Sequence, residues 1–232
     1  MIETIYQRRL SMIHREKIPK TFLKDPLLPT ELVERIRNHA TVDDFEFDQI
    51  YPPYYQAISS IQWSSLAVAQ HISLWINGFN KSKFIDIGCG VGKLCLLLRF
   101  LTSHRIFGIE QRGHLVDIAN QIVALNSLSD ISILNMNMMD LDWSHYDIYY
   151  LYNPFQEHRV QIGLGIVDYD IALDKKYYEQ YISEVVKQLN SAELGKYLIT
   201  FHGFGGSIPP SWGLVTSKFI DGGSLELWVK ES

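Results

Sequence analysis

Short apolar runs alternate with amphipathic runs from residue 84 onward, and this alternation constrains the fold more than any other feature. A buried parallel strand is a short apolar run, whereas the helix that returns the chain to the next strand is amphipathic. The pattern therefore predicts a parallel sheet with helices on its faces. The predicted strands are residues 84–88, 106–110, 131–135, 147–152 and 196–201. The predicted helices span about 91–102, 112–126 and 174–190.

The two ends of the chain do not follow this alternation of apolar and amphipathic runs. The stretch GLVTSKFIDGGSLELWVK predicts two strands around a turn at residues 221–223, so the sheet ends in an antiparallel hairpin. Upstream of the sheet, we expect one helix capped by Thr30 and another that runs through SSIQWSSLAVAQHISLWING to Gly78. The aromatic turn YPPYY separates them. We therefore divide the chain into a helical N-terminal arm and cap, residues 1–80, and a sheet domain, residues 81–232.

The segment FIDIGCGVGKL contains the most specific motif in the sequence. Three glycines at alternate positions, Gly88, Gly90 and Gly92, follow a predicted strand and open a predicted helix. Such a loop turns tightly and lets a ligand approach bare main chain at a helix N-terminus. A dinucleotide fingerprint needs glycine where Lys93 stands, and a phosphate loop needs serine or threonine where Leu94 stands. Both alternatives fail at a defining position.

The pattern D-x-G-x-G-x-G instead resembles the first motif of the class I methyltransferases, which use S-adenosylmethionine. The resemblance covers about residues 83–230 and implies a Rossmann-like, seven-stranded, mostly parallel sheet with helices on both faces. It implies that Glu110, at the end of the second predicted strand, holds the ribose, since two acceptor oxygens suit a cis-diol. It places Asn137 where a side chain meets the adenine amino group, although Asp140 or Asp142 could serve instead. The implied cofactor-binding residues are Asp86, Gly88, Cys89, Gly90, Gly92, Glu110, Gln111, Asn137, Met138 and Asn153.

The segment Tyr152-Asn153-Pro154-Phe155 ends the fourth predicted strand, where this family holds the methyl acceptor. Amino-group methyltransferases commonly carry Asn-Pro-Pro-Tyr at this place, and the asparagine side chain aligns the target nitrogen. This chain has one proline and a phenylalanine, and it is closer to the non-SET histone-lysine methyltransferases, which carry an Asn-Phe variant. The resemblance implies Asn153, Pro154 and Phe155 as catalytic residues that act on an amino group. Alternatively, Pro154 and Phe155 only end the strand and pack the core.

The remaining histidines, cysteines and aromatic residues indicate little further chemistry. The eight histidines show no metal-ligand spacing, and both cysteines, Cys89 and Cys95, lie in the glycine loop and its helix. We therefore predict no metal and no disulfide. His202 could act as a base beside the acceptor, or it could cap an element or fill the core. Tyr54 and Tyr55 could cover the methionine end of the cofactor, or they could pack beside the adjacent prolines.

Charge and apolar content limit the classes of function. Twenty-one Lys and Arg residues against 26 Asp and Glu residues give a net charge of −5, which disfavours a nucleic-acid partner that would need broad neutralisation of phosphates. No membrane span or signal-peptide core is present, so we expect a cytoplasmic protein without a membrane partner. The sequence predicts an S-adenosylmethionine-dependent methyltransferase that acts on a protein side chain or small molecule. The alternatives are a catalytically silent binding module, and a methyltransferase with a nucleic-acid or oxygen acceptor.

Overall fold

A seven-stranded sheet organises the computed structural model, which describes residues 27–159, 168 and 170–232. The strands are β1 (Lys83–Ile87), β2 (Arg105–Glu110), β3 (Ile131–Asn135), β4 (Ile148–Tyr152), β5 (Tyr197–Phe201), β6 (Trp212–Ile220) and β7 (Gly223–Lys230). Their order is β3-β2-β1-β4-β5-β7-β6. Only the pairs that β7 forms with β5 and β6 are antiparallel among the described strands. The predicted mostly parallel sheet with a C-terminal hairpin is confirmed.

Helices cover both faces of this sheet, as predicted. They are α1 (Thr30–Arg37), α2 (Asp44–Asp48), α3 (Pro53–Gln62), α4 (Leu66–Ile76), α5 (Lys93–Leu101), α6 (Gly113–Leu125) and α7 (Lys175–Ser191). One hydrophobic cluster contains side chains of α1 to α6, and a second contains side chains of α7. Successive residues of β1 alternate between them, since Phe84 belongs to the first cluster and Ile85 to the second. The strand therefore contributes to two cores, one on each side.

The N-terminal helical segment differs from its prediction in detail. Thr30 is the first helical residue of α1, and Pro29 occupies the capping position without a side-chain hydrogen bond. The single helix predicted to run to Gly78 is wrong, because the chain breaks between α3 and α4. Ser65 causes the break, since its hydroxyl accepts a hydrogen bond from the Val68 N–H (3.2 Å) and starts a new helix.

The start of α3 and the packing of the helices are two further features of this N-terminal segment. The YPPYY turn begins α3, with Pro53 at the first helical position, where its missing N–H costs no hydrogen bond. The arm's basic residues between positions 1 and 26 lie outside the described residues. Helices α1 to α4 share a hydrophobic cluster with α5 and α6. The division into two domains stays a prediction.

The sheet order places one crevice at the carboxyl ends of β1 and β4. The order runs outward from β1 in one direction to β3 and from β4 in the other direction to β5. The connection that follows β1 and the connection that follows β4 therefore lead toward opposite edges of the sheet. Open α/β sheets bind ligands in the crevice between two such connections. The glycine loop, residues 88–92, follows β1 at this point. No helix in the described part of the chain is long and apolar enough to cross a bilayer.

Candidate functional site

A cavity of about 440 Å³ lies at the carboxyl ends of β1, β2 and β4. Its walls come from the glycine loop, the ends of these strands with the segments that follow β3 and β4, the end of α3 with Trp63, and Tyr181 of α7. The predicted site residues that line the cavity are Gly88, Gly90, Glu110, Gln111, Asn137, Met138, Asn153, Pro154 and Phe155. The structure thus brings together most of the residues that the sequence singled out.

Three predicted cofactor residues, Asp86, Cys89 and Gly92, are not among the residues that line the cavity. Asp86 is buried at the end of β1 and accepts a hydrogen bond from the Cys95 thiol (3.7 Å), and burial raises its pKa to about 7. Cys89 is a buried free thiol. Gly92 has a left-handed backbone with φ of 74°, and a Cβ there would lie 3.1 Å from the Cβ of Ala119. These three residues therefore belong to the packing that supports the glycine loop.

Glu110 fastens the glycine loop to the end of β2. Its Oε2 accepts a hydrogen bond from the Gly90 N–H (3.2 Å), and its Oε1 accepts one from the Arg112 N–H (2.9 Å). Burial raises the pKa of the Glu110 carboxyl, and these backbone donors favour the ionised form. Each carboxylate oxygen has a second lone pair that remains able to accept a hydrogen bond from a ligand hydroxyl.

The amide of Asn137 is bonded within the protein at the other end of the cavity. Its Oδ1 accepts from the Met139 N–H (2.9 Å), and its Nδ2 donates to Gln111 Oε1 (3.2 Å) and to the Tyr181 hydroxyl (2.9 Å). The oxygen can still accept one further hydrogen bond. Asp140 and Asp142, the alternatives to Asn137, are exposed and are not among the lining residues.

Asn153 and its neighbours form a turn that touches the glycine loop. Asn153 has a left-handed backbone with φ of 38°, and its N–H donates to the Gly203 carbonyl (2.9 Å). A Cβ added to Gly88 would lie 3.1 Å from the Cβ of Pro154, so the two segments are in direct contact. The Phe155 ring is buried and stacks on Tyr181, with 5.0 Å between ring centroids. Phe155 therefore both packs the core and lines the cavity.

Solved structures share this architecture at low sequence identity. The 16S rRNA methylase RmtB matches over 97% of this chain and 80% of its own, with 13% identity and a TM-score of 0.52. The putative methyltransferase yhhF from Escherichia coli matches over 72% and 87%, with 15% identity and a TM-score of 0.52. The chain has the class I methyltransferase fold.

TrmN from Thermus thermophilus shows the same fold, with 13% identity and a TM-score of 0.53. That match covers 77% of this chain and 52% of TrmN. No family model and no curated protein matches the sequence. The methyltransferase fold is thus recognised by comparison of structures, at 13–15% sequence identity.

Sequence reasoning missed an ion network in this methyltransferase fold, centred on the buried Arg112. Its guanidinium donates to both carboxylate oxygens of Glu157 (2.9 and 2.7 Å) and to Asp168 Oδ1 (2.8 Å). Although burial opposes ionisation, the imidazole of His114, 3.0 Å away, and the charge and hydrogen bond of Arg112 hold the pKa of Asp168 well below its usual range. No spacing in the sequence signals this network, because its members come from three separate segments.

Trp63 is a further residue that the sequence analysis did not single out. It lines the cavity beside Gly90, whereas Tyr54 and Tyr55 are buried behind it and are not among the lining residues. His202 is exposed beside the Tyr152 ring, with 5.7 Å between ring centroids, and is also not among the lining residues. The possible roles of Tyr54, Tyr55 and His202 at the site thus have no support in this geometry.

Three side chains near the ion network could together hold a metal ion. One ligand atom each from His114, Asp168 and Asp170 lies within 4.8 Å of the others. However, Nε2 of His114 already lies 3.0 Å from the Asp168 carboxylate, which Arg112 also neutralises. A bound dication would face that guanidinium, so we assign no metal here. That the protein uses no metal stays a prediction.

Proposed function

We propose that this protein is an S-adenosylmethionine-dependent methyltransferase that methylates an amino nitrogen. The observation that carries this proposal is the shared cavity, which joins the glycine loop, the Glu110 carboxylate and the Asn153 turn. A cofactor site and an acceptor site must adjoin for direct methyl transfer, and a single cavity lined by both sets of residues supports this proposal.

The residues of the cavity fit this cofactor. Gly88 and Gly90 offer bare backbone, and a side chain on Gly90 would collide with Trp63. In this proposal Glu110 would offer carboxylate oxygens to the ribose hydroxyls, and Gln111 and Asn137, which also line the cavity, would meet the adenine. The cavity volume falls within the roughly 300–1,000 Å³ that is typical of small-molecule sites. When bound, the cofactor supplies a methyl group already activated by a positively charged sulfur.

The Asn153 turn would orient the acceptor. Its side-chain oxygen can accept a hydrogen bond from an N–H of the acceptor, and this directs the nitrogen lone pair toward the methyl group. The left-handed backbone of Asn153 and the hydrogen bond from its N–H to the Gly203 carbonyl fix the backbone from which this side chain extends. Both lining carboxylates are already engaged, Glu110 by backbone N–H groups and Glu157 by Arg112. We therefore expect an acceptor nitrogen that arrives uncharged and needs no strong base.

An RNA base is the second candidate for the acceptor. RmtB, a 16S rRNA methylase, matches over 97% of this chain, so its likeness extends to the helical segment before the sheet. The acceptor side of an RNA enzyme would need cations near the cavity mouth. The net charge of −5 gives no broad support for this, which is why we rank a protein or small-molecule acceptor first.

Transfer of a labelled methyl group distinguishes these candidates. The full chain is incubated with methyl-labelled S-adenosylmethionine and a whole-cell extract, and the product is treated separately with protease and with ribonuclease. Label released only by protease, or found on a small amine, supports the first proposal. Label released only by ribonuclease supports the second. Cofactor binding without any transfer would identify a catalytically silent module.

A further inference from the structure

The indole of Trp63 reaches the glycine loop from outside the sheet. Trp63 follows α3, yet a Cβ added to Gly90 would overlap its Nε1 and would lie 2.8 Å from its Cδ1. The indole N–H edge is thus the part of the ring nearest the loop. The side chain lines the cavity while only 7% of the residue is exposed.

Surrounding contacts fix the Trp63 ring in this position. The rings of Tyr51 and Tyr55 each lie 6.2 Å from it, measured between centroids. Behind them, the buried ammonium of Lys93 donates to Ser59 Oγ (2.9 Å) and to Asp48 Oδ2 (3.1 Å), which joins α2 and α3 to the start of α5. The ring is therefore held before any ligand binds, which lowers the entropic cost of using it.

The indole N–H has no acceptor among the residues that the structure describes. An indole nitrogen can only donate, and a buried one usually finds a partner. Trp212 illustrates this, because its Nε1 donates to the Leu189 carbonyl (2.9 Å). Nε1 of Trp63 forms no such bond to a described residue and is not sealed from the cavity. A donor without a partner in the described part of the chain therefore belongs to a side chain that lines the cavity.

This end of the cavity lacks a free cation in the described part of the chain. Arg112 is the one cationic residue in the described wall, and Glu157 and Asp168 already neutralise it. Lys93 is buried beneath the loop and paired with Asp44 and Asp48. Among the described residues, an anionic group at the glycine loop would therefore meet neutral donors, and a hydrogen bond to a charged group is stronger than one between neutral groups.

We propose that Trp63 is a cofactor-binding residue whose indole N–H donates to the amino-acid carboxylate of S-adenosylmethionine. This inference rests on the proposed function, in which Glu110 holds the ribose, and it adds that the methionine end of the cofactor lies at the glycine loop. It assigns part of the cofactor site to the helical segment that precedes the sheet. Recognition of the carboxylate by Trp63 would also distinguish the intact cofactor from analogues that lack it.

Calorimetry with two ligands and three proteins tests the proposal. The ligands are S-adenosylhomocysteine and its decarboxylated analogue, which differ only in the carboxylate. The proteins are the full-length parent, Trp63→Phe, and the matched control Trp75→Phe, whose ring packs on His71 and lies outside the described cavity wall. Phenylalanine keeps an aromatic ring but removes the donor.

The parent should bind S-adenosylhomocysteine at least tenfold more tightly than the decarboxylated analogue. Trp63→Phe should weaken S-adenosylhomocysteine by about tenfold and leave the analogue within about twofold, because only the first ligand has the acceptor. Trp75→Phe should change neither affinity. If Trp63→Phe does not fold, Trp63→Leu is measured in its place.

Two results would overturn the inference while leaving the proposed function intact. The first is equal affinity of the parent for both ligands, since no carboxylate would then be recognised. The second is an equal loss for both ligands in Trp63→Phe, which would assign the indole to packing alone. A parent that binds neither ligand would contradict the proposed function itself.

Discussion

The ammonium of Lys93 lies 2.8 Å from a carboxylate oxygen of Asp48, and 1% and 6% of the two side chains are exposed. Lys93 is the first residue of the helix that follows the glycine loop, and Asp48 ends a helix before the sheet. A second carboxylate, that of Asp44, lies 2.6 Å from the same ammonium. The ion pair therefore fastens the N-terminal helical segment directly to the start of α5, where the glycine loop ends.

Replacing Lys93 with methionine should lower the free energy of unfolding by about 3–5 kcal/mol, because Asp48 would remain buried without its counter-ion. Lys81→Met is the matched control. The Lys81 ammonium is exposed and lies 3.4 Å from Asp130, so its loss should cost less than about 1 kcal/mol. Urea denaturation followed by circular dichroism measures both changes. Equal effects of the two substitutions would show that the buried pair does not hold the segment.

The Arg112–Glu157 pair allows a similar comparison near the cavity. Glu157→Ala should lower the free energy of unfolding by about 3 kcal/mol, since it leaves a buried guanidinium partly unpaired. Arg35 and Glu46 form an Arg–Glu pair of the same 2.7 Å length, but both side chains are more than a third exposed. Glu46→Ala should therefore cost about 1 kcal/mol or less. Thermal and urea unfolding of both variants test this, and a larger loss in Glu46→Ala would contradict it.

The sheet and the glycine loop were predictable because their signals are local. Strands β1 to β5 are short apolar runs, and the tight turn expected of Gly88, Gly90 and Gly92 is formed with a positive φ at all three glycines. The break between α3 and α4 was missed because a capping serine competes with continuous helix-favouring residues. Trp63 was missed for a different reason. Its contact with Gly90 depends on tertiary packing between segments 27 positions apart, and no periodicity reports such a contact.

The stability of the protein should depend on the protonation of Asp86. Its pKa rises from an ordinary value of 3.8 to about 7 because the carboxyl is buried. Between these values the folded chain keeps a proton that the unfolded chain has lost, so this group makes the folded state less stable as the pH rises from about 4 to about 7.

Asp86→Asn removes this titration and should therefore abolish the loss of stability that Asp86 causes as the pH rises. The variant should gain stability relative to the parent as the pH rises, by a few kcal/mol in total between about pH 4 and pH 8. Urea unfolding of both proteins at several pH values measures the difference. A difference that stays constant across this range would show that Asp86 titrates at its ordinary pKa in the folded chain.

Asn153 separates methyl transfer from cofactor binding. Asn153→Ala should reduce transfer by about 100-fold or more while the affinity for S-adenosylhomocysteine stays near that of the parent, because the amide aligns the acceptor and not the adenosine. Asn153→Asp should retain more activity, since a carboxylate also accepts hydrogen bonds and tolerates the left-handed backbone.

Asn120→Ala is the control for the Asn153 variants. Asn120 lies on α6, where its amide donates to the Ile133 carbonyl (3.1 Å), and it is not among the cavity residues. Transfer of label to the acceptor, once identified, and calorimetry with S-adenosylhomocysteine give the two readouts. Full transfer activity in Asn153→Ala would favour an oxygen or carbon acceptor that other residues align.

Isothermal titration calorimetry of the full chain with S-adenosylhomocysteine tests the central claim, that the cavity is a cofactor site. The parent should bind one molecule with micromolar affinity. Glu110→Ala should weaken binding by about 1–3 kcal/mol, because the ribose loses a charge-assisted hydrogen-bond acceptor. An unchanged affinity in Glu110→Ala would remove the ribose role of Glu110, and no heat of binding by the folded parent at millimolar ligand would contradict the claim.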